Sequence, residues 1–388
     1  MARVAQFQEH AGQMDAILSG RIVMPQGVID GTLTVENGVI AKIEGRKVAE
    51  SSGFPGQGLT IVPGFIDLHN HGGHGGAFPT GTVEQARRAA QYHRSHGTTV
   101  MLASMVSAPV EALSAQVRNL QNLCEEGLIY GIHLEGPFIN ACRCGAQNPQ
   151  FIYPGSPGDL AQVIEAGQGW IKSITLAPET ENLADILDLC AAHNIIASFG
   201  HTDADFDTTM NAISLAREKA VTVTATHLFN AMPPLHHRAP GAVGALLAAA
   251  RAGDAYVELI ADGVHLSDGT VDAVRVENAF FITDAMEAAG MPDGHYILGV
   301  LDVTVAGGVA RLSDGGTIAG GTSTLAQQFG HHVRRGMSLI DATLHTSTTA
   351  SRVLGLENHA IAEKNAANFV VFDSNGHLQQ VYLIDQVI

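Results

Sequence analysis

From Ile61 onward the chain sets short, nearly all-apolar runs between longer mixed stretches, and it does so eight times. IVPGFIDLH opens the series, and residues 98–105, 129–134, 173–177, 195–199, 221–226, 256–260 and 279–283 continue it. Runs this short and this apolar read as strands buried on both faces. The stretches between them, among them 83–96, 108–124, 183–193 and 207–219, read as helices. Eight such alternations predict an α/β protein with a (β/α)8 barrel in preference to a doubly wound sheet.

The length of 388 residues leaves room for more than the barrel. The first sixty residues alternate apolar and polar positions between turns at Pro25-Gln26-Gly27 and Asn37-Gly38, as antiparallel strands do. The last residues repeat that texture around Ser374-Asn375-Gly376. We therefore expect residues 1–62 and 355–388 to form one small β domain from both termini, with the barrel over 63–354. Within the latter, 296–318 reads as a β-hairpin insertion, and two further helices are expected over 322–335 and 339–354.

Chemistry collects at the ends of the apolar runs. His69-Asn70-His71 follows the first, His133-Leu134-Glu135 closes the third, and His201 follows the fifth. His227, Asp262 with His265, and Asp284 follow the last three. Barrel active sites are assembled at the C-terminal ends of the strands, so these groups converge on one rim. In His-x-His on a strand both imidazoles face the same way, because the side-chain period is two. With Glu135, His201, His227 and Asp284 on neighbouring strands, the pair predicts a divalent-cation site. Such nitrogen and oxygen donors suit Zn²⁺, or Fe²⁺ and Mn²⁺ at similar geometry.

Composition narrows the partners. The 21 basic and 38 acidic side chains give a net charge of −17. That charge argues against a nucleic-acid or anionic-membrane surface. No apolar run reaches the ~18 residues of a membrane span, and the polar start is not expected to be a signal peptide. Four cysteines in so long a chain make no disulfide scaffold, so a reducing cytoplasm is the expected setting. Cys142 and Cys144 lack the paired spacing of a structural zinc site and read as an incidental loop pair.

The motifs PGFIDLHNHGG, HLEGPFIN, FGHTDA, THLFNAM, IADGVHL and ITDAM occur in that order. Together they resemble the N-acetylglucosamine-6-phosphate deacetylases of the amidohydrolase superfamily, over nearly the whole chain. The resemblance implies a barrel beside a small β-sandwich, usually in a homodimer. It also implies that Glu135, His201 and His227 are the principal metal ligands. His69 and His71 match a pair that holds a second metal with Glu135 and Asp284 in members that possess it, so one or two metals per subunit are expected. Asp284 matches the catalytic acid/base, and Asn230, Ala231, Arg238 and His265 match substrate contacts. Ala146 and the backbone around Ile318, Ala319 and Gly320 match less closely, and Gln147 stands where some relatives carry histidine. The implied reaction is hydrolysis of the acetamide of N-acetylglucosamine 6-phosphate, with His133 or a neighbour as an oxyanion donor. Arg238 is expected to grip the phosphate, either in its own chain's site or, as in some relatives, in the partner's.

Three rivals remain open on sequence. The galactosamine epimer is one. Another amidohydrolase acting on a small cyclic amide is the second, although such enzymes commonly bridge two metals with a modified lysine at the fourth strand's end. Here only Lys172 lies near that strand, and it sits at its start. A catalytically dead barrel acting as a scaffold is the third, and the full ligand set weighs against it.

Overall fold

The structure is a computed structural model that describes residues 6–10, 13–50, 52–356, 358–384 and 386–387. It divides into two compact units, residues 1–67, 93–100 and 324–388 in one and 68–92 with 101–323 in the other. The helices within 324–354, expected with the barrel, thus group with the termini.

The terminal sheet is built from β1 (Gln6–His10), β2 (Gln13–Met24), β3 (Gly27–Glu36), β4 (Val39–Val48) and β5 (Leu59–Pro63). The carboxyl end adds β17 (Phe369–Phe372), β18 (Leu378–Leu383) and β19 (Gln386–Val387). Their order is β19-β18-β17-β5-β2-β3-β4, with β1 beside β2. Leu18, Ile22, Leu33, Ile61, Phe369 and Tyr382 form its core, as the alternating pattern requires.

The second sheet carries the site. Its strands are β6 (Phe65–Asn70), β7 (Thr98–Met105), β8 (Gly131–Glu135), β9 (Ile171–Leu176), β10 (Ile196–Phe199), β11 (Val223–Ala225), β12 (Tyr256–Leu259) and β13 (Ala279–Phe281). They lie in sequence order, and neighbours from β7 to β13 pair in parallel. The ring closes just beyond the strands: Asn70 and Ala285 form a parallel bridge. There Asp284 N donates to His69 O at 2.9 Å and His71 N to Ala285 O at 2.7 Å. The barrel seam is therefore made by the residues that carry the first and last functional side chains.

Helix starts are written in the sequence. Ser156 caps Pro157–Gly167, Asp205 caps Phe206–Glu218 and Ser267 caps Asp268–Val274, each side chain accepting a main-chain N–H three residues on. A cap of this kind contributes about 1 kcal/mol.

Two expectations need correction. The insertion is a three-stranded antiparallel sheet rather than a hairpin: β14 (Gly294–Leu298), β15 (Leu301–Ala306) and β16 (Val309–Leu312). Its second turn is fixed by Asp293, whose carboxylate accepts from Gly307 N and Gly308 N at 2.6 and 3.0 Å. The last helix is interrupted by a π turn over Leu344–Thr348, between Leu339–Thr343 and Thr349–Leu354. Thr346 Oγ1 donates there to Ala342 O at 2.7 Å, the side-chain competition that loosens a helical turn.

Candidate active site

Six side chains from five strand ends meet at the barrel rim. Glu135 Oε1 lies 3.0 Å from Nε2 of both His201 and His227, whose Nε2 atoms are themselves 3.0 Å apart. Glu135 Oε2 lies 3.2 Å from His71 Nε2. Asp284 Oδ1 lies 3.4 Å from His69 Nε2 and 3.3 Å from His71 Nε2, and those two nitrogens are 3.1 Å apart. All six residues are buried.

This donor set fits divalent cations. Two imidazole nitrogens at 3.0–3.1 Å share at most one hydrogen, so such contacts are favourable only with a cation or proton between them. Four donors around a cation with bonds of about 2.0–2.2 Å stand about 3.3–3.6 Å apart, close to the spacing here. Tautomers agree as well. His71 Nδ1 faces Ser104 O at 3.2 Å, His201 Nδ1 faces Arg143 O at 2.8 Å, and His69 Nδ1 faces Glu258 Oε2 at 3.2 Å. Each of those nitrogens must carry the hydrogen, which turns the Nε2 lone pair toward the centre. The donors form two groups, His69–His71–Asp284 and Glu135–His201–His227.

Electrostatics point the same way. Burial alone would raise the Asp284 carboxyl, but His69 and His71 overcome it and hold the group at about 2. Burial would lower His71, yet Asp284 and Glu135 carry it up to about 9. Glu135 is likewise held well below the usual carboxylate range, against its burial, by His69, His201 and His227. The carboxylates are ionised, and His69 and His71 are drawn toward their protonated forms.

Backbone shape is unusual at the same positions. His201, His227 and Asp284 have φ of +46°, +26° and +46°. Left-handed conformations at non-glycine residues cost of order 1–3 kcal/mol each and persist where surrounding structure over-determines them. Here the strand ends into which they are built supply that constraint.

A cavity of about 270 Å³ opens over this centre. Ala146, Gln147, Asn230, Ala231, His265, Ile318 and Gly320 line it, as do all the metal-site residues except His69. Ala319 is fully buried in the apolar cluster beneath β14–β16, with Met286, Leu298 and Val303, and does not line it. Arg238 is exposed and does not line it either. His265 gives Nδ1 to Asp262 Oδ2 at 2.8 Å, which leaves Nε2 as its free nitrogen. Gln147 is more committed than expected: its Oε1 accepts from Ser107 N at 2.7 Å and its Nε2 donates to Glu135 Oε2. One amide hydrogen remains for a substrate.

His133 is a correction. Its ring is spent inside the barrel, with Nδ1 2.9 Å from Ser104 Oγ and Nε2 2.8 Å from Thr175 Oγ1. Burial, then the charge of His69, pushes it well below the ordinary histidine range, so it stays neutral. Thr175 continues to Thr226 at 2.8 Å and Thr226 to Ser198 at 2.6 Å. At the other end Ser104 Oγ accepts from Asn70 N at 2.9 Å. His133 thus belongs to a polar belt under the centre, and no oxyanion donor role is left to it. Sequence reading also missed Glu258, whose only signal was a lone carboxylate in the apolar run 256–260. Cys142 is exposed and Cys144 half-buried, both as free thiols. Lys172 bonds Gly169 O at the foot of β9, away from the rim.

A barrel rim with this donor set defines a metal-dependent hydrolase, and the comparisons agree. Residues 60–386 match the amidohydrolase family, and the chain belongs to it. It is 30% identical to the N-acetylglucosamine-6-phosphate deacetylase of Vibrio furnissii, over 98% of this chain and 95% of that one. It is also 30% identical to the N-acetylgalactosamine-6-phosphate deacetylase of Escherichia coli O157:H7, over 95% and 97%. Among solved structures, a mutant N-acetyl-D-glucosamine-6-phosphate deacetylase from Mycobacterium smegmatis, in complex with N-acetyl-D-glucosamine-6-phosphate, superposes with a TM-score of 0.86. That chain shares 34% identity, with 96% of this chain and 98% of the other covered.

Proposed function

We propose that the protein hydrolyses N-acetyl-D-glucosamine 6-phosphate to D-glucosamine 6-phosphate and acetate in amino-sugar catabolism. The observation that carries this reading is the pairing of the two donor groups with an ionised Asp284 under a sugar-sized cavity. Glu135, His201 and His227 would hold one divalent cation, and His69, His71 and Asp284, beside Glu135, would hold a second. Zn²⁺ fits these donors best, with Fe²⁺ and Mn²⁺ close behind. When bound, such a cation acidifies water and polarises the amide carbonyl.

The chain's own residues do the rest. Asp284 takes a proton from the attacking water as its oxygen bonds to the acetyl carbon. It returns that proton to the sugar nitrogen as the carbon–nitrogen bond breaks, so acetate leaves and the amine stays on the sugar. Asn230, His265 and the backbone at Ala231 bind the sugar and its phosphate; Ala146, Gln147, Ile318 and Gly320 line the rest of the cavity, with Ala319 packed behind them. No lysine or arginine lines the cavity among the described residues, so a phosphate dianion lacks a permanent cation there. Arg238, exposed on its loop, suits the phosphate of a partner subunit, which makes a homodimer the working form. All these residues lie within 63–354, the segment we take as the catalytic part of the chain although its helices beyond 323 group with the termini, with 1–62 and 355–388 as the β domain of a cytoplasmic enzyme.

The test is acetate release from three substrates. N-acetylglucosamine 6-phosphate should be cleaved fastest, and unphosphorylated N-acetylglucosamine far more slowly. The relative from Escherichia coli O157:H7 gives the galactosamine epimer a specific claim, so N-acetylgalactosamine 6-phosphate is the third. A clear preference for it would reassign the sugar, and no acetate from either phosphate would refute the proposal.

A further inference from the structure

We infer that Glu258 is a positioning residue that sets the ligand strength of His69 and ties the two halves of the metal centre together, an inference that rests on the metal-dependent reading above. Glu258 stands in β12 between Val257 and Leu259, only 3% exposed. A carboxylate buried in an apolar strand is costly unless its bonds are strong. Its carboxylate meets two residues of the candidate metal centre. The same oxygen, Oε2, lies 3.2 Å from His69 Nδ1 and accepts from His227 N at 3.1 Å. Its main chain reaches the same loop, since Leu228 N donates to Glu258 O at 2.9 Å.

Two consequences follow from this geometry. His69 is the imidazole of the centre whose Nδ1–H meets a carboxylate; His71 and His201 meet neutral backbone carbonyls. A charged acceptor behind the ring makes the opposite nitrogen a stronger donor than a carbonyl does. The other bond pins His227 where its φ is +26°, a backbone shape that needs holding. His69 belongs to one donor group and His227 to the other, so a single oxygen serves both.

The experiment is zinc binding by competition with a chromophoric chelator, on full-length protein first stripped of metal. Glu258→Gln keeps the shape and an acceptor but removes the charge, and should weaken the zinc held by the His69 group about 10–100-fold. In a His69→Asn background the same substitution should change the affinity of the remaining zinc less than about twofold, because sites that act only through one another are not additive. A role confined to holding the strand and the His227 loop would weaken that zinc equally in both backgrounds, and this result overturns the inference. Wild-type zinc affinity in Glu258→Gln also overturns it, while leaving the metal-dependent reading intact. Failure of the unaltered protein to bind zinc at all would bring down both. Glu258→Asp, which keeps the charge but withdraws it by one methylene, provides the same comparison if the Gln variant does not fold.

Discussion

Asp284 combines three properties rarely found in one side chain. It is buried, held at about 2 by His69 and His71, and set at φ +46° where the barrel ring closes. It is ionised at every pH near neutrality, the form a proton acceptor needs. Asp284→Asn should therefore lower kcat by at least about 10²-fold, the usual scale for such a group, with KM little changed. Acetate release followed across pH 6–9 checks this, with metal content measured alongside; near-normal kcat would remove Asp284 from proton transfer. At this scale the sequence shows which groups converge at the rim but not how they are supported. His69, His71, Glu135, His201, His227 and Asp284 were legible because strand ends at a barrel rim have one destination. Glu258 and His133 were not, because their meaning lies in what their far atoms touch across neighbouring strands. His133 shares the inward face of Glu135, two residues on in the same strand, but lies one layer further from the rim, in the polar belt.

At the scale of elements, the belt and the rim are coupled through Gly200. A Cβ on this residue would lie 2.5 Å from Thr226 Cβ, which is closer than carbon atoms pack. Gly200 precedes His201 and Thr226 precedes His227, so a methyl group here forces two ligand-bearing strand ends apart. Gly200→Ala should cost about 1–3 kcal/mol of stability, as overpacking does. Displacing ligands by a fraction of an ångström should also lower activity on the order of 10–100-fold. Thermal unfolding and acetate release measure the two effects; a variant unchanged in both would show that the strand ends yield freely. Strand positions themselves were readable, since runs buried on both faces look unlike anything else in the chain. The insertion was read as a hairpin because Gly307-Gly308 and the turn at Asp314-Gly315-Gly316 punctuate short strands of similar texture. The split in the last helix depends on one threonine turned back onto its own backbone, which apolar spacing does not reveal.

At the scale of the whole molecule, a chain of net charge −17 must bind a phosphate dianion in a cavity lined by no lysine or arginine among the described residues. Long-range attraction is absent, so a local cation has to come from elsewhere. If Arg238 reaches the partner's cavity, mixing Asp284→Asn chains with Arg238→Ala chains should regenerate one competent site per heterodimer and restore part of the activity. No recovery despite demonstrated subunit exchange would return Arg238 to its own chain. The two-part architecture was legible from matching β texture at both ends of the chain, whereas the grouping of helices 324–354 with the termini was not, because their sequence reads like any barrel helix. The claim beneath all of this is that Glu135, His201 and His227 hold the cation on which hydrolysis depends. The most direct measurement is acetate release from N-acetylglucosamine 6-phosphate by protein stripped of metal and then titrated with Zn²⁺, Fe²⁺ or Mn²⁺, beside Glu135→Ala treated in the same way. The expected result is loss of activity on stripping, its return with added cation in the unaltered protein, and neither metal nor turnover in Glu135→Ala. Full turnover by the stripped protein, or a Glu135→Ala variant that keeps both its metal and its activity, would contradict the account.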